Sequence, residues 1–286
     1  MLRFRGIGAL ALLAGCLCFF VGVFPTARPA SAQKADYKLV EPGFLTVGTY
    51  GTSIPSITVG PGDKLGGLAG ALITAFAHDH NLKLKIYQTT FASQILAVEQ
   101  GKIDVGTFVF YTTERAKHVY YTFPYWVSHT VLITLKSTPY TGTKSMEGKK
   151  VGTVIGFVFA PLLQKWSVSG TMLFPDQPTA AQALLNGQID GYVNGEAQLQ
   201  TPPLKDSPDV VAHRLKPDDF GFPAALLANP SYNIVNCENP GLAHAMDEEF
   251  AKLHANGEWA KVLKDNGLGP ESDVELKAPS QMCGGS

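Results

Sequence analysis

The chain has 286 residues, 45% of them hydrophobic, and a formal net charge of −1. That apolar content is enough for one large core or two small ones. The near-balanced charge leaves no basic field to attract nucleic acid or an anionic membrane surface.

The first segment stands apart from either core. Arg3 and Arg5 precede an apolar run over residues 7–24, and Ala30, Ser31 and Ala32 form a small-x-small site. Together they read as a secretory signal peptide over residues 1–32, cleaved before Gln33. A membrane anchor is a second reading, because the run approaches the ~18 residues that suggest a span. A lipoprotein signal is a third, because Leu13-Ala14-Gly15-Cys16 has the lipobox form. Strongly apolar residues continue past Cys16, which favours simple cleavage and a protein free in the periplasm. Export removes Arg3, Arg5 and Arg28 from the 23 basic residues and nothing from the 24 acidic ones, so the mature net charge is −4. It also removes Cys16 and Cys18. Cys237 and Cys283 are left in an oxidising compartment and are expected to pair. No CxxC or Cys/His cluster suggests a metal, and no cofactor is expected. His78 and His80 read as solvated helix-end residues.

In chain order, residues 44–50 alternate like a first strand. Residues 51–67 are rich in Gly, Pro and Ser and are expected to loop over the surface. Leu68, Leu72, Ala75 and Phe76 recur at helical spacing, with a stop at Asn81. Residues 82–87 alternate as a strand. Residues 91–100 form a helix with Ile95, Leu96 and Val98 inward, and Gly101 ends it where positive φ is needed. Ile103, Val105 and Phe108 read as a buried strand. This alternation argues for an α/β lobe with a mainly parallel sheet. Gly66, Gly67 and Gly70 do not make a dinucleotide site: the third strand-to-helix element of that fingerprint is missing, and the acidic ribose partner has no candidate.

Residues 130–135 are an apolar strand leaving this lobe, and residues 145–152 are a turn feeding a second one. Residues 156–164 are expected to open a helix whose first N–H groups face an anion. The run from Ala92-Ser93-Gln94 to Asp104 has an echo from Ala180-Ala181-Gln182 to Asp190: a helix, a glycine stop, then a strand opening with Ile-Asp. Asp104 and Asp190 read as turn caps. Residues 223–228 are an apolar strand returning to the first lobe. Asn239-Pro240 starts a helix, Gly257 breaks it, and residues 258–263 form the last one. The polar tail, residues 269–286, is expected to be loosely ordered.

The stretch that organises the rest is residues 101–125, GKIDVGTFVFYTTERAKHVYYTFPY. Arg115 is its candidate ligand-binding residue. A guanidinium presents five donors in a rigid fork and suits a carboxylate or phosphate. On residue type alone, a solvated Glu114-Arg115 pair explains it equally well.

The sequence G-x-I-D, then T-E-R, then Y-T-x-P-Y resembles the amino-acid-type (family 3) solute-binding proteins of ABC transporters, periplasmic binding proteins of type II. Ser145-Met146-Glu147-Gly148-Lys149-Lys150-Val151-Gly152 is similar to the family's S-L-x-G-K-x-V-G, and N-G-E-W-A-K-V-L-K resembles its terminal helix pair. The likeness runs from about Phe44 to Leu268. It implies an α/β fold of two lobes joined by two hinge strands, with a ligand cleft between them. Residues 33–131 and 230–286 would make lobe 1, and residues 132–229 lobe 2. By the resemblance, Arg115 holds the ligand's carboxylate. Tyr50, Thr107 and Phe110 complete the first wall. Phe157, Val158, Asn194 and Glu196, with Gly156 and Gly195, form the second. The expected partner is an ABC permease, the expected state a monomer.

The chain departs from the family in its acids. Gly195 stands where the resemblance expects an ammonium-binding aspartate, and G-F-D-x-D reads Gly67-Leu68-Ala69-Gly70-Ala71 here. The expected ligand is therefore a carboxylate with a sizeable apolar or aromatic part, not a basic amino acid. Two other functions remain: an enzyme on the same fold, like the periplasmic cyclohexadienyl dehydratases, with Glu196 as general acid; and a sensory ligand-binding domain, for which no signalling segment follows the second lobe. N-terminal sequencing of the exported protein should give Gln33 as its first residue; a lipid-modified Cys16 is the contrary outcome.

Overall fold

The computed structural model describes residues 36–167 and 169–284. The expected signal peptide, with its lipobox alternative at Cys16, lies outside them. The chain opens with β1 (Phe44–Thr49), a hairpin of β2 (Thr58–Gly60) and β3 (Lys64–Gly66), then α1 (Gly67–Asp79), β4 (Lys83–Gln88), α2 (Phe91–Glu99) and β5 (Val105–Phe110). Leu45 and Val47 are fully buried, and so are Leu68, Leu72 and Phe76, four residues apart along α1. That spacing puts one apolar stripe of the helix against the sheet, and each such side chain contributes about 1.5–3 kcal/mol when removed from water. β4 and β5 flank β1, both parallel to it, because α1 and α2 carry the chain back to the same edge each time.

β6 (Val119–Leu135) is followed by β7 (Val151–Val154), α3 (Ala160–Trp166), β8 (Thr171–Phe174), α4 (Gln177–Leu185), β9 (Gly191–Gly195), β10 (Val210–Arg214), β11 (Ala228–Asn236), α5 (Pro240–Ala255) and α6 (Glu258–Asp265). The strands form one path, β4-β1-β5-β11-β6-β9-β7-β8, with β10 also on β6. β6 joins the two halves. Over Val119 to His129 it pairs with β11; from Thr130 onward it pairs with β9 and β10. Pro124 has no N–H for the ladder, and the β11 register shifts beside it, between Ser231 and Tyr232.

The echoed aspartates do the same work in each half. Asp104 accepts from the N–H of Val40 and of Thr46, at 2.8 Å each. Asp190 accepts from Lys150 N–H at 2.8 Å. Each ties the start of its strand to the neighbouring parallel one.

Five local expectations are corrected. Leu96, expected inward on α2, is 50% exposed; Phe91, Gln94 and Val98 form the buried face instead. The 51–67 segment is not a surface loop: Ser53, Ser56 and Ile57 are at most 2% exposed, with Ser56 bonded to Tyr125 Oη and Ile54 N–H to Thr201 Oγ1. Residues 223–228 are not a strand: Ala224–Leu226 is a tight 3-10 turn closed by Leu226 N–H on Pro223 O, and the returning strand is β11. The helix expected from residue 156 begins only at Ala160, and Phe157 N–H is spent on Val154 O within the preceding turn. The tail is tied down at residues 281–283 rather than free. Cys237 and Cys283 are joined, Cys283 N–H donates to Ala116 O at 2.5 Å, and Tyr121 N–H points at the Met282 sulfur at 3.1 Å.

Asp247 on α5 accepts from Phe123 N–H at 2.6 Å and is 7% exposed. Burial raises its carboxyl to about 7, more than the hydrogen bond from Phe123 lowers it. Tyr120, whose hydroxyl meets His244, is the titratable neighbour facing it. A raised folded-state pKa means stability that is complete below about pH 4, where the unfolded carboxyl also holds its proton, and lost as pH rises towards 7. Urea unfolding should therefore show stability falling by roughly 2–4 kcal/mol across this window. In Asp247→Asn, which keeps the acceptor for Phe123, that slope should vanish.

Candidate functional site

Arg115 opens a short 3-10 turn, Arg115–Lys117, after β5. Thr112 shapes it: its hydroxyl accepts from Arg115 N–H at 3.1 Å and its carbonyl from Ala116 N–H at 2.9 Å, a local side-chain-to-backbone turn. The guanidinium then points inward. Nη1 donates to Phe110 O at 2.9 Å, and Nη2 donates across to Gly156 O at 2.5 Å. The ring of Phe91 lies beneath it, 4.9 Å from Cζ. Burial pushes the Arg115 pKa down, with Tyr121 and Tyr50 acting the other way; a guanidinium stays charged regardless. Among the described residues no carboxylate pairs with it. Its partners are neutral carbonyls.

The cleft beside this head group is lined by Tyr50, Phe91, Phe108, Phe110, Phe157, Val158 and Asn194 together with Arg115, and its empty space, mouth included, is about 270 Å³. Its walls touch. Phe157 meets Phe91 edge-on at 4.8 Å and Tyr50 at 6.1 Å; Tyr50 meets Phe91 at 5.0 Å. Edge-to-face contacts of this kind add about 0.5–1.5 kcal/mol each beyond burial. Gly156 suits the turn because its φ is +82°, a conformation that L side chains rarely adopt. Phe108 sits in the left-handed region, φ +53°, which is unusual for so bulky a residue. Its carbonyl accepts from Tyr50 Oη at 2.8 Å, and the two rings stack at 6.2 Å.

Six of the eight residues nominated from the sequence line this cleft: Tyr50, Phe110, Arg115, Phe157, Val158 and Asn194. Two do not. Thr107 is fully buried in β5, its hydroxyl donating to Gly48 O at 3.0 Å while Gln94 clamps its backbone; strand alternation sends it away from the cleft. Glu196 lies outside the lining, 2.8 Å from His129 Nδ1 and accepting from Arg214 at 2.9 Å. Asn194 stands at the end of β9 instead. Its amide donates to Tyr192 Oη, and its Oδ1 accepts from Gly195 N–H at 2.7 Å. Sequence reasoning missed Phe91 and Phe108. Phe91 follows Thr90, whose hydroxyl caps α2 by accepting from Ser93 N–H; a bulky ring at a capped helix start was the available signal. Phe108 left none, since its aim depends on a backbone turn no pattern marks. Among the described residues no cluster of His, Cys, Asp or Glu could hold a metal.

The tail grips the arginine turn from both sides. Tyr111 Oη donates to Gln281 O at 3.3 Å, and Ala116 O accepts from Cys283 N–H. Met282 packs on the core that contains Ala116 and Tyr121. Tyr121 in turn points its hydroxyl at Phe110 O, the carbonyl Arg115 also binds.

The family model for bacterial extracellular solute-binding proteins, family 3, matches residues 45–267. A probable histidine-binding protein of Campylobacter jejuni is 28% identical over 190 residues, covering 65% of this chain and 74% of that one. The ABC transporter arginine-binding protein 1 of Escherichia coli is 25% identical over 223 residues, 76% of this chain and 88% of its own. Among solved structures, a mutant ArgBP from T. maritima superposes with a TM-score of 0.68 at 22% identity, covering 78% of this chain and 94% of that one; it supports the two-lobed fold alone.

Arg115 and Arg214 are the only arginines after Arg28, which makes the tail's grip measurable. In the oxidised protein, phenylglyoxal should modify Arg115 several-fold more slowly than the exposed Arg214. In the Cys237→Ser, Cys283→Ser double variant the Arg115 rate should rise while Arg214 is unchanged, as read by peptide mass mapping; equal Arg115 rates would show that the tail does not hold the turn.

Proposed function

We propose, from the premise that this chain belongs to the bacterial extracellular solute-binding proteins, family 3, that it captures a small carboxylate and presents it to an ABC-transporter permease in the periplasm. The observation that carries this reading is Arg115: a half-buried guanidinium, aimed into an apolar cleft, and left without a counter-ion among the described residues. A buried cation without an anion is costly, and a ligand carboxylate answers it with two parallel hydrogen bonds. The names of relatives, which speak of histidine and arginine binding and of an ABC transporter, support the general role.

The ligand enters with the lobes apart, because the rings of Tyr50, Phe91 and Phe157 already meet across the cleft. Closing on it is a rigid-body motion of residues 132–229 against 33–131 and 230–286. The change of β6 partner at Thr130, from β11 to β9, supports the first boundary. The chain works as a monomer, freed of its leader at Ala32. The binding role is favoured over a dehydratase-like one because Glu196, the one acid nominated for proton transfer, is engaged by His129 and Arg214 outside the lining.

A thermal-shift screen of the mature protein across amino acids, aromatic acids and small dicarboxylates should find a carboxylate that stabilises it. Arg115→Ala should weaken that ligand by about 1.5–3 kcal/mol or more, roughly 10- to 100-fold, with ligand-free melting little changed. Arg115→Lys should recover only part, because an ammonium cannot match the fork. Unchanged affinity in Arg115→Ala by calorimetry would remove this arginine from the site and with it the reading.

A further inference from the structure

We infer that the ligand of this cleft is an organic anion without an ammonium group: a monocarboxylate on an aromatic or branched aliphatic body. This rests on the cleft being the ligand site, and it departs from the amino acids named for the relatives. The argument is one of charge. Among the described residues the lining contains one cation, Arg115, one neutral amide, Asn194, and no anion. A monocarboxylate brings the closed cleft to neutrality. An α-amino acid adds an ammonium beside a guanidinium and leaves one net positive charge shut away from water, which no group in the lining offsets.

Neutral acceptors do not rescue it. Asn194 Oδ1, Phe108 O, Phe110 O and Gly156 O each hold one donor already, and a second bond from an ammonium would share its charge without cancelling it. Aromatic faces attract cations weakly, and the face of Phe91 is taken by the guanidinium itself. Glu196 follows β9 directly, but His129 and Arg214 hold it and it is not part of the lining. What the cleft does offer is apolar surface. Tyr50, Phe91, Phe108, Phe110, Phe157 and Val158 surround the one polar contact, so recognition beyond the carboxylate comes from burying a hydrocarbon body.

Matched pairs of probes test this even while the natural ligand is unidentified. Calorimetry on ligand-stripped mature protein compares 3-phenylpropanoate with L-phenylalanine and 4-methylpentanoate with L-leucine, with L-histidine and L-arginine alongside. In at least one pair the amino-free acid should bind 10-fold or more tighter, and its binding should be lost in Arg115→Ala. Asn194→Asp, which places an acid on the second wall at constant size, should swing that preference towards the amino acid by a similar factor. If the amino acid of a pair binds equally or better in the natural sequence, and still depends on Arg115, the ammonium-free inference falls while the carboxylate-binding function stands. If a probe binds equally well without Arg115, or if no carboxylate binds, both fall.

Discussion

A guanidinium partly withdrawn from water must be met by groups that share its charge, and around Arg115 those groups are backbone carbonyls. Much of the surrounding structure exists to hold them in place. Phe110 O comes from the end of β5 and Gly156 O from the turn after β7, so one side chain spans elements from both halves of the sheet. Each partner has its own support. Thr112 fixes the turn that aims the arginine, Tyr121 and Tyr50 brace the ends of β5, and a glycine supplies the positive φ of the 156 turn. Carbonyls satisfy the donors without cancelling the charge. An arginine bound in this way is positioned yet still electrostatically unanswered, and that is the condition a binding site for an anion needs.

The sequence made much of this legible and some of it not, for physical reasons. The lobes could be read because hydrophobic period and glycine stops are local signals: residues 44–50, 82–87 and 91–100 are strand, strand and helix as expected, although β1 is buried on both faces and Leu96 points outward. Arg115 could be read because a fork-shaped donor sits in a recognisable motif. β11 could not, because Asn229, Ser231 and Asn233 are polar yet buried between β5 and β6, which defeats a reading based on apolar alternation. Glu196 falls outside the lining for a reason distant in sequence: the β6–β9–β10 pairing brings His129 and Arg214 to it. Thr107 falls outside the lining by one step of the pleat: it directly precedes Phe108, and neighbouring strand residues face opposite sides.

Composition also misled where long-range packing overrides it. A segment rich in Gly, Pro and Ser looks solvated, but Ser53, Ser56 and Ile57 are interior because Tyr125 and Thr201 reach them from later in the chain. The tail looked loose for the same reason. Its polar residues carry no hydrophobic pattern, and its attachment derives from one covalent bond and a few main-chain contacts. The aromatic cleft is the opposite case: its rings were visible in the sequence, but only the fold assembles Tyr50, Phe91, Phe108 and Phe157 around one point.

The bond between Cys237 and Cys283 has a practical side. It closes only where thiols are oxidised, and the three residues Gln281, Met282 and Cys283 touch both flanks of the arginine turn. Protein made in a reducing cytosol carries the same amino acids but leaves that turn without its clasp. Reporter domains or purification handles joined just beyond Cys283 pull on the same clasp. For anyone producing or fusing this chain, the choice of expression compartment and of fusion end is thus also a choice about how firmly the Arg115 turn is held.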